Sequence, residues 1–312
     1  MRFTVFTPVY NRVAVLELTF QSLLDSRYQD FEWLVVDDGS TDASAAQVEA
    51  WVQEAPFPVV LVRQANQGKP GAHNTALGYA RGELFLTLDA GDSLCPDALT
   101  QLAGHWQAIP EAARAGFAAV VGLCLEGEQL SGEAYPRDVI DSDYLRIAGL
   151  GIRVGERRDA LRTDVLRAFP YPRLPGEKHI RPSIILRRIG HHYRTRFTNT
   201  LVQHIRHEPD GITRNRFVYR MRNPAGLRLY CLDELTLHNA FLTPTQRRRV
   251  MRRYVRYSLH AGVGLVGQLR AIPQRGVWLQ MAPTGIMEWL ADRVRWSRYK
   301  RRRQALANLP PP

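Results

Sequence analysis

The chain has 312 residues and a mass of 35.5 kDa, room for one large α/β domain or for a catalytic domain of about 220 residues with an appendage. Its 45% hydrophobic and 23% charged residues are the composition of a folded globular protein and exclude a largely disordered chain. Lys and Arg number 42 against 30 Asp and Glu, a net charge of +12 that calls for an anionic partner surface if it is concentrated in one region.

In chain order, residues 2–7 form a short β-rich run that stops at Pro8. Residues 13–26 carry apolar side chains at helical spacing (Val15, Leu18, Leu23). Residues 31–36 are a second buried-strand run ending in two aspartates. Residues 42–53 are helical with Asp42 as N-cap, 58–62 are a third strand, 72–80 helical, and 83–88 a fourth strand that again ends in an aspartate. This alternation predicts a mostly parallel sheet, with polar residues gathered past the strand ends where open α/β sheets bind ligands. Further on, a helix is predicted at 97–107, a strand at 117–123, a hairpin at 126–132, a helix at 180–189, a strand at 193–205 and a PDGIT loop at 209–213. From residue 224 the pattern is helical and basic.

Three runs after the strands carry candidate chemistry. In Thr7-Pro8-Val9-Tyr10-Asn11-Arg12, Pro8 turns the chain out of the sheet and Tyr10 can stack on a flat ring, or the run is simply a turn. In Val36-Asp37-Asp38-Gly39-Ser40, two adjacent carboxylates after a buried strand are costly unless they meet a ligand, a cation or backbone donors. One can accept a hydrogen bond from a base N–H; the alternative is a pair of loop-capping acids. In Leu88-Asp89-Ala90-Gly91-Asp92, two carboxylates three residues apart can hold a divalent cation against a diphosphate, or Asp92 can cap the helix that follows.

Together TPVYNR, VVDDGSTD, NQGKPGAHNTAL and GELFLTLDAGD, in this order and spacing, resemble the inverting, nucleotide-sugar-dependent glycosyltransferases of family 2, best over residues 1–107 and more loosely to about 215. The resemblance implies the GT-A fold, a Rossmann-like nucleotide-binding α/β architecture with a mostly parallel central sheet, here followed by a helical basic appendage. It implies a catalytic domain over 1–223, with a nucleotide-sugar half at 1–107 and an acceptor half at 108–223, and the appendage at 224–312. Thr7, Pro8 and Tyr10 are implied to line the nucleotide pocket, Asp38 to contact the base, and Lys69 to lie beside the nucleotide. Asp92 is implied as the direct ligand of a divalent metal, Mn or Mg, and Asp89 as a second candidate through a sugar hydroxyl or water. The run departs from the common D-x-D-D form, with Gly91 where the middle carboxylate often sits.

An inverting transfer also needs a general base beside the acceptor hydroxyl. Glu177, in Pro175-Gly176-Glu177-Lys178-His179, stands where family members place that base, in an acid-containing loop ahead of a helix. The stretch from GEKHIRPS to PDGIT looks like bacterial enzymes of surface-polysaccharide synthesis. His191-His192, His204 and His207 have no acid at ligating spacing and read as ordinary polar residues, with His179 a candidate acceptor contact.

The charge excess does sit in one region. From Phe241 onward 15 Lys/Arg face two acids, Glu288 and Asp292, while the first 240 residues hold 27 basic and 28 acidic side chains. In 245–260, Val250, Met251, Tyr254, Val255 and Ser258 share one helical side and Arg248, Arg249, Arg252, Arg253 and Arg256 lie mostly around the other, the pattern of a helix lying in a membrane interface. Met287, Leu290 and Val294 form a second stripe with Trp289 and Trp296 nearby, and 293–303 a second basic cluster. The alternative is that these helices pack on the protein with arginines facing solvent.

Cys95, Cys124 and Cys231 are scattered, with no CxxC or Cys/His cluster, so neither a disulfide framework nor a zinc site is expected. Met1-Arg2 leads straight into FTVFT, and no window reaches ~18 apolar residues, so neither a signal peptide nor a spanning helix is expected. The expectation is a reduced, cytoplasmic, peripheral enzyme of the inner membrane face. It moves a sugar from a nucleoside diphosphate sugar, UDP-linked on family frequency, to a saccharide or polyprenyl-linked acceptor, and takes no nucleic acid. Two rivals remain. A sugar-nucleotidyltransferase lacks support because the first strand runs into Pro-Val-Tyr-Asn, without a Gly-rich phosphate loop. A nucleic-acid binder using the basic tail predicts steeply salt-dependent binding but leaves the carboxylate motifs unexplained.

Overall fold

The structure, a computed structural model, describes residues 1–206 and 215–307; the expected PDGIT loop and His207 lie outside them. The chain divides into two compact units, residues 1–173 with 182–209 and residues 174–181 with 210–312.

The first unit opens with four parallel strands, β1 (Phe3–Val9), β2 (Phe31–Asp37), β3 (Val59–Arg63) and β4 (Leu84–Thr87), joined by helices α1 (Val13–Leu24), α2 (Ser44–Glu54) and α3 (Lys69–Tyr79). All seven residues of β2 are buried, the continuous apolar run expected of a strand covered on both faces. β1 runs one residue past Pro8, which pairs with Val36; β4 reaches only as far as Phe6, so the Pro8 position lacks a neighbour on that side and its missing N–H is tolerated. The core against α1 and α2 is aromatic, with the Phe20 ring stacked 4.3 Å from Trp51 and 5.6 Å from Trp33.

The chain continues through β5 (Ser93–Leu94), α4 (Ala98–Gln107), α5 (Glu111–Arg114), β6 (Phe117–Glu126), β7 (Gln129–Leu130), β8 (Val139–Ser142), β9 (Arg157–Arg162), α6 (Thr163–Ala168), α7 (Ser183–Ile189) and β10 (Arg194–Ile205). The sheet order is β3-β2-β1-β4-β9-β6-β10-β5. β9 runs antiparallel between β4 and β6, and β10 runs parallel to β6. The predicted elements recur with end shifts of up to a few residues. β9 was not predicted: its sequence, RRDALR, alternates too little apolar character to read as a central strand.

At the amino ends of the strands a buried polar knot fixes the register. Glu32 accepts from Thr4 Oγ1, Arg81 N and Arg81 Nε, each at 2.7 Å, and Gly82 N donates to Thr4 Oγ1 at 2.9 Å. Gly82 presses on β1 so closely that a Cβ would lie 2.3 Å from the carbonyl carbon of Phe3 and the nitrogen of Thr4.

The second unit is helical: α8 (Arg216–Arg222), α9 (Pro224–Thr236), α10 (Pro244–His260), α11 (Leu265–Arg270) and α12 (Arg275–Ala307). α10 begins with a capping box, Thr243 and Gln246 each accepting from the other's backbone N–H. Val250, Met251, Tyr254 and Val255 are buried against Cys231, Leu235, Trp278 and Ala282, so the apolar side of α10, expected at a lipid surface, forms the core of this unit instead. Both acids of the basic region are paired inside it: Arg256 donates twice to Asp292 at 2.6 Å, and Arg252 and Arg256 meet Glu288. The second stripe is outside, with Leu279, Met287, Leu290 and Val294 exposed on α12. Among the described residues no helix is long and apolar enough to cross a membrane.

Gly82→Ala is expected to destabilise the fold by about 3 kcal/mol or more, because the clash is with backbone that cannot yield. Urea unfolding with an unchanged midpoint would refute that close approach.

Candidate functional site

The carboxyl ends of β1 to β4 present four loops, and buried carboxylates tie them together. After β1, Asn11 takes a left-handed φ of +53°, its N–H donating to Ser40 Oγ at 3.0 Å and its Oδ1 accepting from Thr41 N at 2.8 Å. Thr7 is buried, its hydroxyl accepting from Trp33 Nε1 at 2.8 Å, while Tyr10 is about half exposed. The two loops are thus pinned to each other, with a free aromatic ring at their rim.

Asp38 is buried and faces inward. Its Oδ1 accepts from Gln64 Nε2 at 2.7 Å and Gln67 N at 2.8 Å, and its Oδ2 from Gly68 N at 2.7 Å. The carboxylate expected to read a base therefore holds the loop that leads into α3. Asp37, passed over in the sequence, accepts from Ser40 N at 3.2 Å and lies 3.9 Å from Arg63 Nε.

The loop after β4 turns through Gly91, whose φ of +95° suits glycine. Thr19 of α1 clasps it, its hydroxyl accepting from Gly91 N and donating to the Asp92 carbonyl, both at 2.9 Å. Asp92 is buried. One oxygen accepts from Gln203 Nε2 at 2.5 Å and the other from Arg206 N at 2.9 Å, fastening the loop to β10. Burial, then the charge of Asp89, push the Asp92 carboxyl up to about 6, against the backbone donor of Arg206 and the positive side chains nearby. Asp89 is partly exposed, and Lys69 Nζ grips both its oxygens at 2.5 and 2.7 Å. Desolvation works against its charged form, but Lys69, Arg158 and Arg12 outweigh it and hold the carboxyl below its ordinary value. Arg158, on β9, places Nη2 3.7 Å from Asp92, and its Nε is buried without a hydrogen-bond partner. Sequence reasoning missed this arginine; the signal was a charged strand among apolar ones.

These residues do not fit a resident divalent ion. Such an ion needs several oxygen donors with acceptor capacity to give. Here both Asp92 oxygens are engaged within the fold, Asp89 is clamped by an ammonium, and residue 91 offers no side chain. Among the described residues no group of three His, Cys, Asp or Glu side chains could hold a metal.

Glu177 belongs to the second unit. Its Oε1 accepts from Ala225 N at 2.5 Å and its Oε2 from Gly226 N at 2.7 Å, the first N–H groups of α9. Burial raises its carboxyl above the ordinary value and these two donors only partly offset that. Lys178 N and His179 N both donate to Asn223 Oδ1 at 3.0 Å, wrapping the loop on the helix start. A cavity of about 490 Å³ lies elsewhere, at the amino end of β4. Its Arg81, Arg114, Arg162 and Arg167 already donate to Glu32, Gln107 O, Asp164 and Leu77 O, which leaves it no evident ligand chemistry.

Residues 4–130 match the model of glycosyl transferase family 2. An uncharacterised glycosyltransferase of Nostoc sp. is 35% identical over 107 residues, 34% of this chain and 33% of the relative. A GalNAc(5)-diNAcBac-PP-undecaprenol beta-1,3-glucosyltransferase of Campylobacter jejuni is 30% identical over 153 residues, 46% of this chain and 47% of the relative. The matches thus span between a third and a half of these relatives' length. Among solved structures, Staphylococcus aureus TarS 1-349 in complex with UDP-GlcNAc superposes with a TM-score of 0.60 at 18% identity, over 88% of this chain and 82% of that one. A mannosyltransferase of Pyrobaculum calidifontis in complex with GDP-Man and Mn2+ superposes with a TM-score of 0.55 at 20% identity, over 93% and 87%. At these identities the likeness gives the fold, the GT-A arrangement with a helical C-terminal region.

Because the Asp92 carboxylate anchors β10, Asp92→Ala is expected to lower stability by about 2–4 kcal/mol with or without divalent ions, by leaving buried donors and a guanidinium unpaired. Thermal unfolding checks it; an unchanged Tm would return Asp92 to the role of a ligand-facing acid.

Proposed function

We propose that this chain, whose residues 4–130 match the glycosyl transferase family 2 model, transfers a sugar from a nucleoside diphosphate sugar to a saccharide or lipid-linked saccharide in the synthesis of a bacterial surface glycan. The observation that carries the reading is the set of four loops gathered at the carboxyl ends of β1 to β4, with Lys69 at the start of α3 joined to Asp89 after β4. Thr7, Pro8, Tyr10, Asp38 and Lys69 are the proposed nucleotide-side residues, Asp38 acting through the loop it holds. UDP is the proposed nucleotide, supported by the fold neighbour that holds UDP-GlcNAc. A lipid-linked acceptor is supported by the Campylobacter relative, named for an undecaprenol-linked saccharide.

The proposed chemistry is a single displacement. The acceptor hydroxyl oxygen attacks C1, the bond from C1 to the diphosphate oxygen breaks, and its electron pair leaves with the nucleoside diphosphate. The hydroxyl proton passes to a base, and C1 inverts. Glu177 is the proposed base, its raised carboxyl making it a stronger proton acceptor than an exposed glutamate. A divalent ion beside the diphosphate is supported by the neighbour that holds Mn2+ with GDP-Man and opposed by the donor set at Asp89 and Asp92.

The test is thermal unfolding with UDP, GDP, TDP and CMP. A ligand at 100 times its Kd adds about 2.7 kcal/mol, several degrees for a chain of this size; no shift with any of them overturns the donor reading. Glu177→Gln is expected to lower kcat roughly 10²- to 10⁴-fold with nucleotide binding intact. The ionised carboxylate is the active form, so the wild-type rate falls as pH drops through a raised Glu177 value, giving an acid limb above the ordinary glutamate range that the variant lacks. A purely capping Glu177 would instead lower Tm and leave kcat and its pH profile alone.

We place the chain peripherally on the cytoplasmic membrane face, docked through α12 rather than α10. The exposed stripe of Leu279, Met287, Leu290 and Val294 is followed by Arg298, Lys300 and Arg301, while Glu288 and Asp292 are neutralised within the unit. Co-sedimentation with vesicles rich in anionic lipid, lost on Met287→Glu with Leu290→Glu, is the expected outcome. Duplex binding in a gel shift without vesicle binding would favour a nucleic-acid partner.

A further inference from the structure

Where β4 ends, two carboxylates meet more positive charge than their own neutralisation requires. Lys69 reaches Asp89 from the first turn of α3, and its side chain is 40% exposed, so the ammonium stands at the surface of the site. Arg158 reaches in from β9, two residues before Ala160, which pairs with Leu86. Its side chain is 12% exposed, its Nη2 is 3.7 Å from Asp92, and its buried Nε has no partner. Arg12 acts on Asp89 from the loop after β1. Asp92 is already satisfied by Gln203 and Arg206. The turn that would offer a further carboxylate is built on a glycine at φ +95°, so the loop's backbone suits a residue without a side chain.

Resting on the donor reading above, we propose that the Lys69 ammonium and the Arg158 guanidinium neutralise the diphosphate of the sugar donor in place of a divalent ion, so that sugar transfer by this chain needs no metal. As the C1–oxygen bond breaks, its electron pair and the growing negative charge pass to the diphosphate oxygens. Lys69 exchanges Asp89 for a phosphate oxygen, and the Arg158 guanidinium, held with Nη2 beside Asp92, supplies the second positive charge. Nothing is oxidised or reduced; the acceptor proton goes to the base. Charge-assisted N–H···O bonds of this kind are the strong class.

The experiment is calorimetric titration of the full chain with the nucleoside diphosphate that stabilises it, in EDTA and in Mn2+. Binding in EDTA should lie within about threefold of that in Mn2+, a difference near 0.6 kcal/mol. Lys69→Gln should weaken the diphosphate roughly 10- to 100-fold and leave the parent nucleoside unchanged. Because the Lys69 side chain is partly exposed, the variant should stay folded with a similar Tm. Arg158→Lys, which keeps a charge beside Asp92, should weaken the diphosphate selectively as well. Binding that vanishes in EDTA and returns with Mn2+ would overturn the proposal and leave the donor reading standing. Equal losses for nucleoside and diphosphate in Lys69→Gln would also overturn it, by assigning the lysine to the shape of the loop. A folded chain that binds no nucleotide in either buffer would overturn both.

Discussion

Two carboxylates at the end of one short strand govern much of the first unit. Asp89 and Asp92 stand where β4 leaves the sheet, and taking such groups out of water without partners costs several kcal/mol each. Their neutralisation draws in Lys69 from α3, Arg158 from β9, and Gln203 and Arg206 from β10 and the chain just beyond it. These partners come from three different elements, α3, β9 and β10 with its continuation, so the polar balance fixes where those elements lie. The aromatic core under α1 and α2 gives the sheet its stability, but polar contacts position the loops. Asp38 does the same two strands over, after β2, holding residues 64–68 through three donors.

The legibility of the sequence followed the physics of burial. β1 to β4 are covered on both faces, so they read as unbroken apolar runs between helices and were visible at once. β9 was invisible because it is rich in arginine, and one of these, Arg158, answers Asp92 far earlier in the sequence, a match that no local period reports. The acids after β2 and β4 were recognised, but their direction was not. Adjacent carboxylates look the same in sequence whether they face a ligand or the protein, and Asp38 and Asp92 both face the protein. Gly91 was legible as a departure from a pattern. Its physical meaning, a turn in the glycine region of backbone space clasped by Thr19, came only with the fold.

The basic helices show the same ambiguity on a larger scale. An amphipathic helix records that one side leaves water and says nothing about what covers it. For α10 the cover is protein, the side chains of α9 and α12, and three of its arginine contacts run to the two acids of the region. α12 keeps apolar side chains outside, ahead of its later basic residues along the chain. The division of labour follows from acid placement: Glu288 and Asp292, four apart, mark the side of α12 turned inward.

The bond from Gln203 to Asp92 joins residues 111 positions apart. Loop-closure entropy must be met before a contact of that span can contribute, so it forms late in folding and slows it. During synthesis, the first four strands and their helices leave the ribosome with the β4 loop held only by Thr19 and Lys69. The loop gains its full set of partners only when the segment up to Arg206 has emerged and β10 has docked beside β6. The order of translation thus separates the first parallel strands from a competent site, and a chain truncated before residue 203 would keep the motifs by which its sequence is recognised while lacking the strand that sets their geometry.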